Sequence, residues 1–148
     1  MSAPRDRRPR PHPEAAYADT NLFVALLAGP EHPLHEPALG IFRRVAEGEL
    51  NLIVTPIVVA ELTYVARSLF GWSRRVSADR IGSMLGADGI VLRERSALLR
   101  ALELYGTGSR LDFADAYLAA AALEMGPPAV ASFDTDLDTV EGVRWISA

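Results

Sequence analysis

Apolar and polar positions along this chain alternate between two periods, and each switch marks an element. AAYAD (15–19) is a short apolar run after a proline-rich stretch, which predicts a buried strand. TNLFVALLA (20–28) and HEPALGIFRRVAEGE (35–49) repeat their apolar residues every three or four positions and predict helices. LNLIVT (50–55) predicts a second strand, and PIVVAELTYVARSLF (56–70) a helix opened by Pro56, whose fixed φ suits the first helical position. SADRIGSMLGAD (77–88) reads as a helix, GIVLR (89–93) as a third strand, and ERSALLRALELYG (94–106) as a helix stopped by GTGS. LDFADAYLAAAALEMG (111–126) is a strongly periodic helix closed by Gly126 and two prolines. Strands AVASF (129–133) and VRWIS (143–147) complete the chain.

Five strands alternating with helices predict an α/β fold: a three-layer α/β/α sandwich around a central, mostly parallel five-stranded sheet. Right-handed crossovers place the functional loops at the carboxyl edge of such a sheet. Residues 1–14, MSAPRDRRPRPHPE, carry Arg5, Arg7, Arg8 and Arg10 among four prolines, a composition expected to form a disordered basic arm. A single domain is expected over 15–148.

Composition narrows the chemistry. Nineteen acids against fifteen arginines, with no lysine, give a formal charge of −4, so bulk charge does not announce a nucleic-acid binder. A polyanionic substrate would need a metal ion or local arginines. Cysteine is absent, which removes disulfides, thiolate metal sites and cysteine nucleophiles, and fits a cytoplasmic location. The basic arm before LFVALLAG superficially resembles an export signal, but Asp19 and Asn21 interrupt the join and the apolar run is too short. No run approaches the ~20 apolar residues of a membrane span, so no membrane partner is expected.

The acids are the informative residues. Asp19 ends the first strand and Asp134 ends AVASF, so both belong to the carboxyl rim. Glu61 is the only charged residue between Asn51 and Ala66, and its spacing with Ile57, Val58, Tyr64 and Val65 predicts an acid on a core-facing stripe. Asp115 shares a predicted face with Leu118, Ala119 and Ala122. Carboxylates gathered in a partly buried site are stabilised by a shared divalent cation, and oxygen-only ligands point to Mg²⁺ or Mn²⁺ rather than zinc. Such a site suits metal-dependent phosphodiester hydrolysis.

Structural roles compete for the same residues. Asp19 could cap the helix that follows it, and Asp112 is read as an N-cap with Asp115 as a first-turn acid. Glu61 could be satisfied by Arg67 or Arg110. Asp136 and Asp138 read as a solvated turn, with Asp136 a further candidate ligand. His32 and His35 lack the additional ligands a zinc site needs.

ADTN after the first strand, VVAEL on the helix after the second, DFADAYLAAAAL and SFDTDLD together resemble the PIN-domain nucleases, and among them the VapC-like toxins of bacterial toxin–antitoxin pairs. The resemblance runs from Ala15 to the C terminus. It implies that Asp19, Glu61, Asp115 and Asp134 form an acidic metal site, with Thr20 or Asn21 shaping the first strand end. It further implies Mg²⁺-dependent cleavage of RNA, a homodimer, and neutralisation by a small cognate antitoxin. The basic arm has no counterpart in that family's compact core. A non-catalytic PIN-like module that binds RNA or protein is the alternative, because fold and activity are separable.

Other motifs fail on spacing. DLDTV (136–140) matches the nucleophile signature of aspartyl-phosphate phosphatases, but only eight residues follow. DTDLD resembles a calcium loop whose sharp-turn position holds Thr139 instead of glycine. No G-x-S-x-G elbow is present. Arg43, Arg44, Arg67, Arg74, Arg75 and Arg110 are candidate phosphate contacts, and YVARSLFGW, with Phe70 and Trp72, is a candidate dimer surface.

Overall fold

A computed structural model describes residues 12–108 and 110–147. The arm expected over 1–14 therefore lies mostly outside the described residues. Strand β1 (Glu14–Tyr17) leads into helices α1 (Thr20–Ala28) and α2 (His35–Ala46), then β2 (Leu50–Val54), α3 (Pro56–Ser68) and α4 (Arg74–Leu85). Strand β3 (Ile90–Leu92) precedes the paired helices α5 (Arg95–Gly106) and α6 (Phe113–Met125). Strand β4 (Ala129–Ala131), a 3₁₀ turn (Thr135–Thr139) and β5 (Arg144–Ile146) follow.

All five expected strands are present, and every pairing is parallel. They form two ladders among the described residues, β1–β2–β3 and β4–β5, where the sequence led us to expect one five-stranded sheet. Alanines 116, 119, 120 and 122 are buried along α6, and small side chains allow close helix approach. Helix α6 packs chiefly on α5 and also contacts β4. The backbone bonds of the short last strands run between their own segments, from Arg144 N to Pro128 O and from Ser132 N to Ile146 O.

The pleat of β2 sends Leu50, Leu52 and Val54 into the core beside Ile90 and Leu92 of β3. Phe23, Val59, Leu62, Ile81, Leu85 and Leu98 join the same cluster. Truncating one of these buried leucines would cost about 2–5 kcal/mol. The opposite pleat is more open: Tyr17 and Val91 are exposed, and Ile53 between them is half-buried. The expected cover on both faces is thus incomplete over these strands.

Helix boundaries follow hydrogen-bond chemistry. Pro56 opens α3, as its position implied. Helix α4 starts at Arg74, earlier than the expected Ser77, because the Ser73 hydroxyl accepts from Val76 N and caps it. Ser77 is an interior residue whose hydroxyl donates back to Ser73 O. Gly126, at φ 66°, ends α6 in the left-handed region. Gly89 lets the start of β3 approach α2: a Cβ there would lie 2.6 Å from Val45 Cγ1.

Candidate active site

Asp19 occupies the N-cap position of α1, with extended backbone, but its carboxylate makes no capping bond. It is exposed just beyond the carboxyl end of β1. The next residue, Thr20, is buried, and its hydroxyl donates to Glu61 Oε2 at 2.5 Å. This bond spans 41 residues and ties the start of α1 to the middle of α3. Asn21 is exposed beside it.

Glu61 does not lie on the expected core-facing stripe. Ile57 is 72% exposed, Tyr64 is 73% exposed, and Glu61 between them is exposed too. The buried stripe of α3 is Val59, Leu62, Thr63 and Ala66. Burying Thr63 is tolerable because its hydroxyl donates to Ala60 O at 2.7 Å. The carboxylate of Glu61 is satisfied by Thr20, so neither Arg67 nor Arg110 is its partner.

A second acidic group surrounds the start of α6. Asp112 is the N-cap, accepting from Asp115 N at 2.9 Å, the structural role anticipated for it. Asp115, in the first turn, is half-buried. Its pKa is raised, first by burial, then by the charges of Asp112 and Asp134, a side-chain hydrogen bond with Asp134, and the charge of Asp136. Its expected facial neighbours divide, with Ala119 and Ala122 buried but Leu118 exposed. Asp134 caps the 3₁₀ turn by accepting from Asp136 N at 2.9 Å. Ser132 steadies this loop: its hydroxyl accepts from Asp134 N, and its carbonyl accepts from Trp145 Nε1. Asp136 is half-buried and Asp138 exposed.

The proposed ligands therefore stand as two groups. Around one, Thr20, which follows Asp19 in the chain, donates to Glu61; in the other, Asp115 feels the charges of Asp112, Asp134 and Asp136. All four donors are carboxylates, which suits a hard divalent cation. Among the described residues, however, no three histidine, aspartate or glutamate side chains gather as a metal-holding cluster. The donor chemistry fits such a cation, and the arrangement supplies its ligands in two parts.

Most other candidates have structural partners. Arg44 pairs with Glu14 and Glu49, and Arg75 with Asp79. Arg74 donates to Leu111 O and lies over the Tyr105 ring. Arg67 pairs with no acid among the described residues, and Arg43 and Arg110 are exposed. His35 is buried with Nδ1 2.9 Å from Ala25 O, while His32 Nδ1 accepts from Leu34 N. Phe70 and Trp72 are half-buried and stack on each other with centroids 5.0 Å apart, so they pack the fold; Leu69 beside them is exposed. Tyr17, Glu94 and Tyr117 escaped the sequence reading. The Tyr117 hydroxyl donates to the Glu94 carboxylate, and Arg93 Nη2 approaches the Tyr17 hydroxyl at 3.5 Å. Only the proximity of Tyr17 to Asp19 and of Tyr117 to Asp115 could have signalled them.

The PIN domain family profile matches residues 16–143. The chain belongs to the PIN-domain family. PIN domains are generally metal-dependent nucleases, and Asp19, Glu61, Asp115 and Asp134 all fall inside the matched span of this one. A comparison with curated proteins gives no match. Among the described residues, no helix of this PIN domain is long and apolar enough to cross a membrane.

Proposed function

We propose that this PIN domain is a Mg²⁺-dependent endoribonuclease, the toxin of a toxin–antitoxin pair, acting in the cytoplasm as a homodimer restrained by a cognate antitoxin. The observation that carries the nuclease reading is the half-buried Asp115 carboxylate at the start of α6, set among the charges of Asp112, Asp134 and Asp136. Holding these carboxylates ionised together near neutrality calls for a cation. Asp19, Glu61, Asp115 and Asp134 are the proposed ligands, with Asp136 a further oxygen donor. Mg²⁺ held there, or Mn²⁺ in its place, would activate water and offset charge on the scissile phosphodiester. Thr20 holds the Glu61 carboxylate in one orientation, and Asp112 fixes the first turn that carries Asp115. The same reading includes a single five-stranded sheet. Pairing of β1 with β4 would bring both acidic groups to one carboxyl edge.

Purified full-length protein incubated with a mixed RNA pool tests the reading. Cleavage with Mg²⁺ or Mn²⁺, abolished by EDTA and by Asp115→Asn, supports it. Cleavage unchanged by either treatment rejects the site. The division of the acids into two groups favours a second reading, a non-catalytic PIN-like RNA- or protein-binding module. It expects folded, antitoxin-free protein to cut nothing under either metal.

A further inference from the structure

Helix α3 continues past Glu61 with an exposed aromatic ring and an unpaired cation. Tyr64 is 73% exposed, and Arg67 pairs with no acid among the described residues. At the helical rise they stand about 4.5 and 9 Å along the axis from Glu61. Two surface hollows meet at Tyr64 and Ala60. One, of about 470 Å³, is lined by Thr20, Asn21, Glu61 and Val65. The other, of about 380 Å³, lies toward α6 and is lined by Arg67, Arg74, Tyr105 and Asp112. Tyr64 is the ridge between them, linking the Glu61 side of the site to the first turn of α6.

We propose that this ridge seats a single-stranded segment of the RNA substrate, with Tyr64 stacking on a base and Arg67 holding a backbone phosphate; this rests on the nuclease reading above. A phenol ring offers a sequence-tolerant stacking surface. A guanidinium offers a planar fork that matches phosphate oxygens. Arg74 lines the same hollow but is engaged by Leu111 O and the Tyr105 ring, which leaves Arg67 to meet the ligand. RNA is a better fit than an apolar protein face because the ridge combines an aromatic plane with a cation and adjoins the acids. The neighbouring hollow formed by Pro56, Ile57, Phe113 and Leu118 lacks a cation.

The test uses full-length Asp115→Asn protein with Mg²⁺ and a fluorescein-labelled, mixed-sequence single-stranded RNA, read by fluorescence anisotropy. Added Tyr64→Ala should weaken binding on the order of 10-fold, the scale of one stacked base, while Tyr64→Phe retains it. Added Arg67→Gln should weaken binding and reduce the salt slope by about 0.7, one phosphate contact on a single strand. Parent-level binding by both Tyr64→Ala and Arg67→Gln overturns the seat. So does a parent that binds no RNA, or a Tyr64→Ala change confined to sedimentation, which would mark a protein interface. Loss of binding in these variants alongside a wild-type protein that never cuts would retain the seat and reject the nuclease reading.

Discussion

Glu61 and Asp115 occupy neighbouring helices in contrasting surroundings. Glu61 is exposed and accepts a hydroxyl bond from Thr20. Asp115 is half-buried, receives its own helix's cap from Asp112, and faces Asp134 and Asp136. The first carboxylate is stabilised by a neutral donor; the second is held where ionisation is opposed. On the proposed function, the gain from a cation would be concentrated at α6, while α3 would contribute mainly orientation.

The sharpest way to break this contrast is to remove the charge at Asp115 and the neutral donor at Thr20. Asp115→Asn should lower metal-dependent RNA cleavage by on the order of 100-fold or more, the upper end of effects expected around metal sites. Thr20→Val should leave Glu61 in place but unoriented and lower cleavage by about 10-fold. Titrating Mg²⁺ for both variants distinguishes ligand loss from misorientation, since Thr20→Val should regain activity at high metal. Equal defects that metal does not relieve would erase the distinction.

Stability should move the other way at Asp115. A carboxyl whose folded pKa is raised favours its protonated form, so it loses stability as pH rises from 3.8 through the raised value. Metal-free Asp115→Asn should consequently melt above wild type at neutral pH, with that advantage lost on acidification to 3.8 and below. Mg²⁺ at 100 times its Kd should stabilise wild type by about 2.7 kcal/mol and the variant by less. Thermal melts with and without the ion check both statements.

The smallest expected effect concerns Tyr117, two residues beyond Asp115. Burial, the hydrogen bond to Glu94 and the charge of Glu94 push the phenol up to about 12. A raised phenol pKa contributes stability below 10 that is lost as pH climbs toward 12. Tyr117→Phe should cost about 1 kcal/mol near neutrality, narrowing across that alkaline window in melts against wild type.

Much of the fold was legible because periodicity and end signals act locally. Pro56, Gly126 and the alternating β2 residues each announced their place. The phase of α3 was not legible. Apolar residues fill Ile57–Ala60, Leu62 and Tyr64–Ala66, so every side resembles a core face, and the buried stripe includes Thr63 with its own backbone bond. The cap at Ser73 was missed because its hydroxyl acts three residues ahead. Strand-edge logic placed Asp19 and Asp134 on one rim, but the nearness of Asp134 to Asp115 and the Thr20–Glu61 bond depend on how the helices cross. The division of the strands into two ladders depends on tertiary packing, which no short-range pattern carries.

The connection from β4 to β5 has a consequence for how this molecule can vary. Ala131 and Arg144 are ends of parallel strands, yet only a 3₁₀ turn and short loops join them, near the dozen-residue minimum for such a crossover. Asp134 and Asp136 sit within that taut bridge, clamped by Ser132 and Trp145. Added residues there would displace the acids along with the chain. The exposed turn between α1 and α2 bears no such burden, so length variation should be accepted there and refused between β4 and β5.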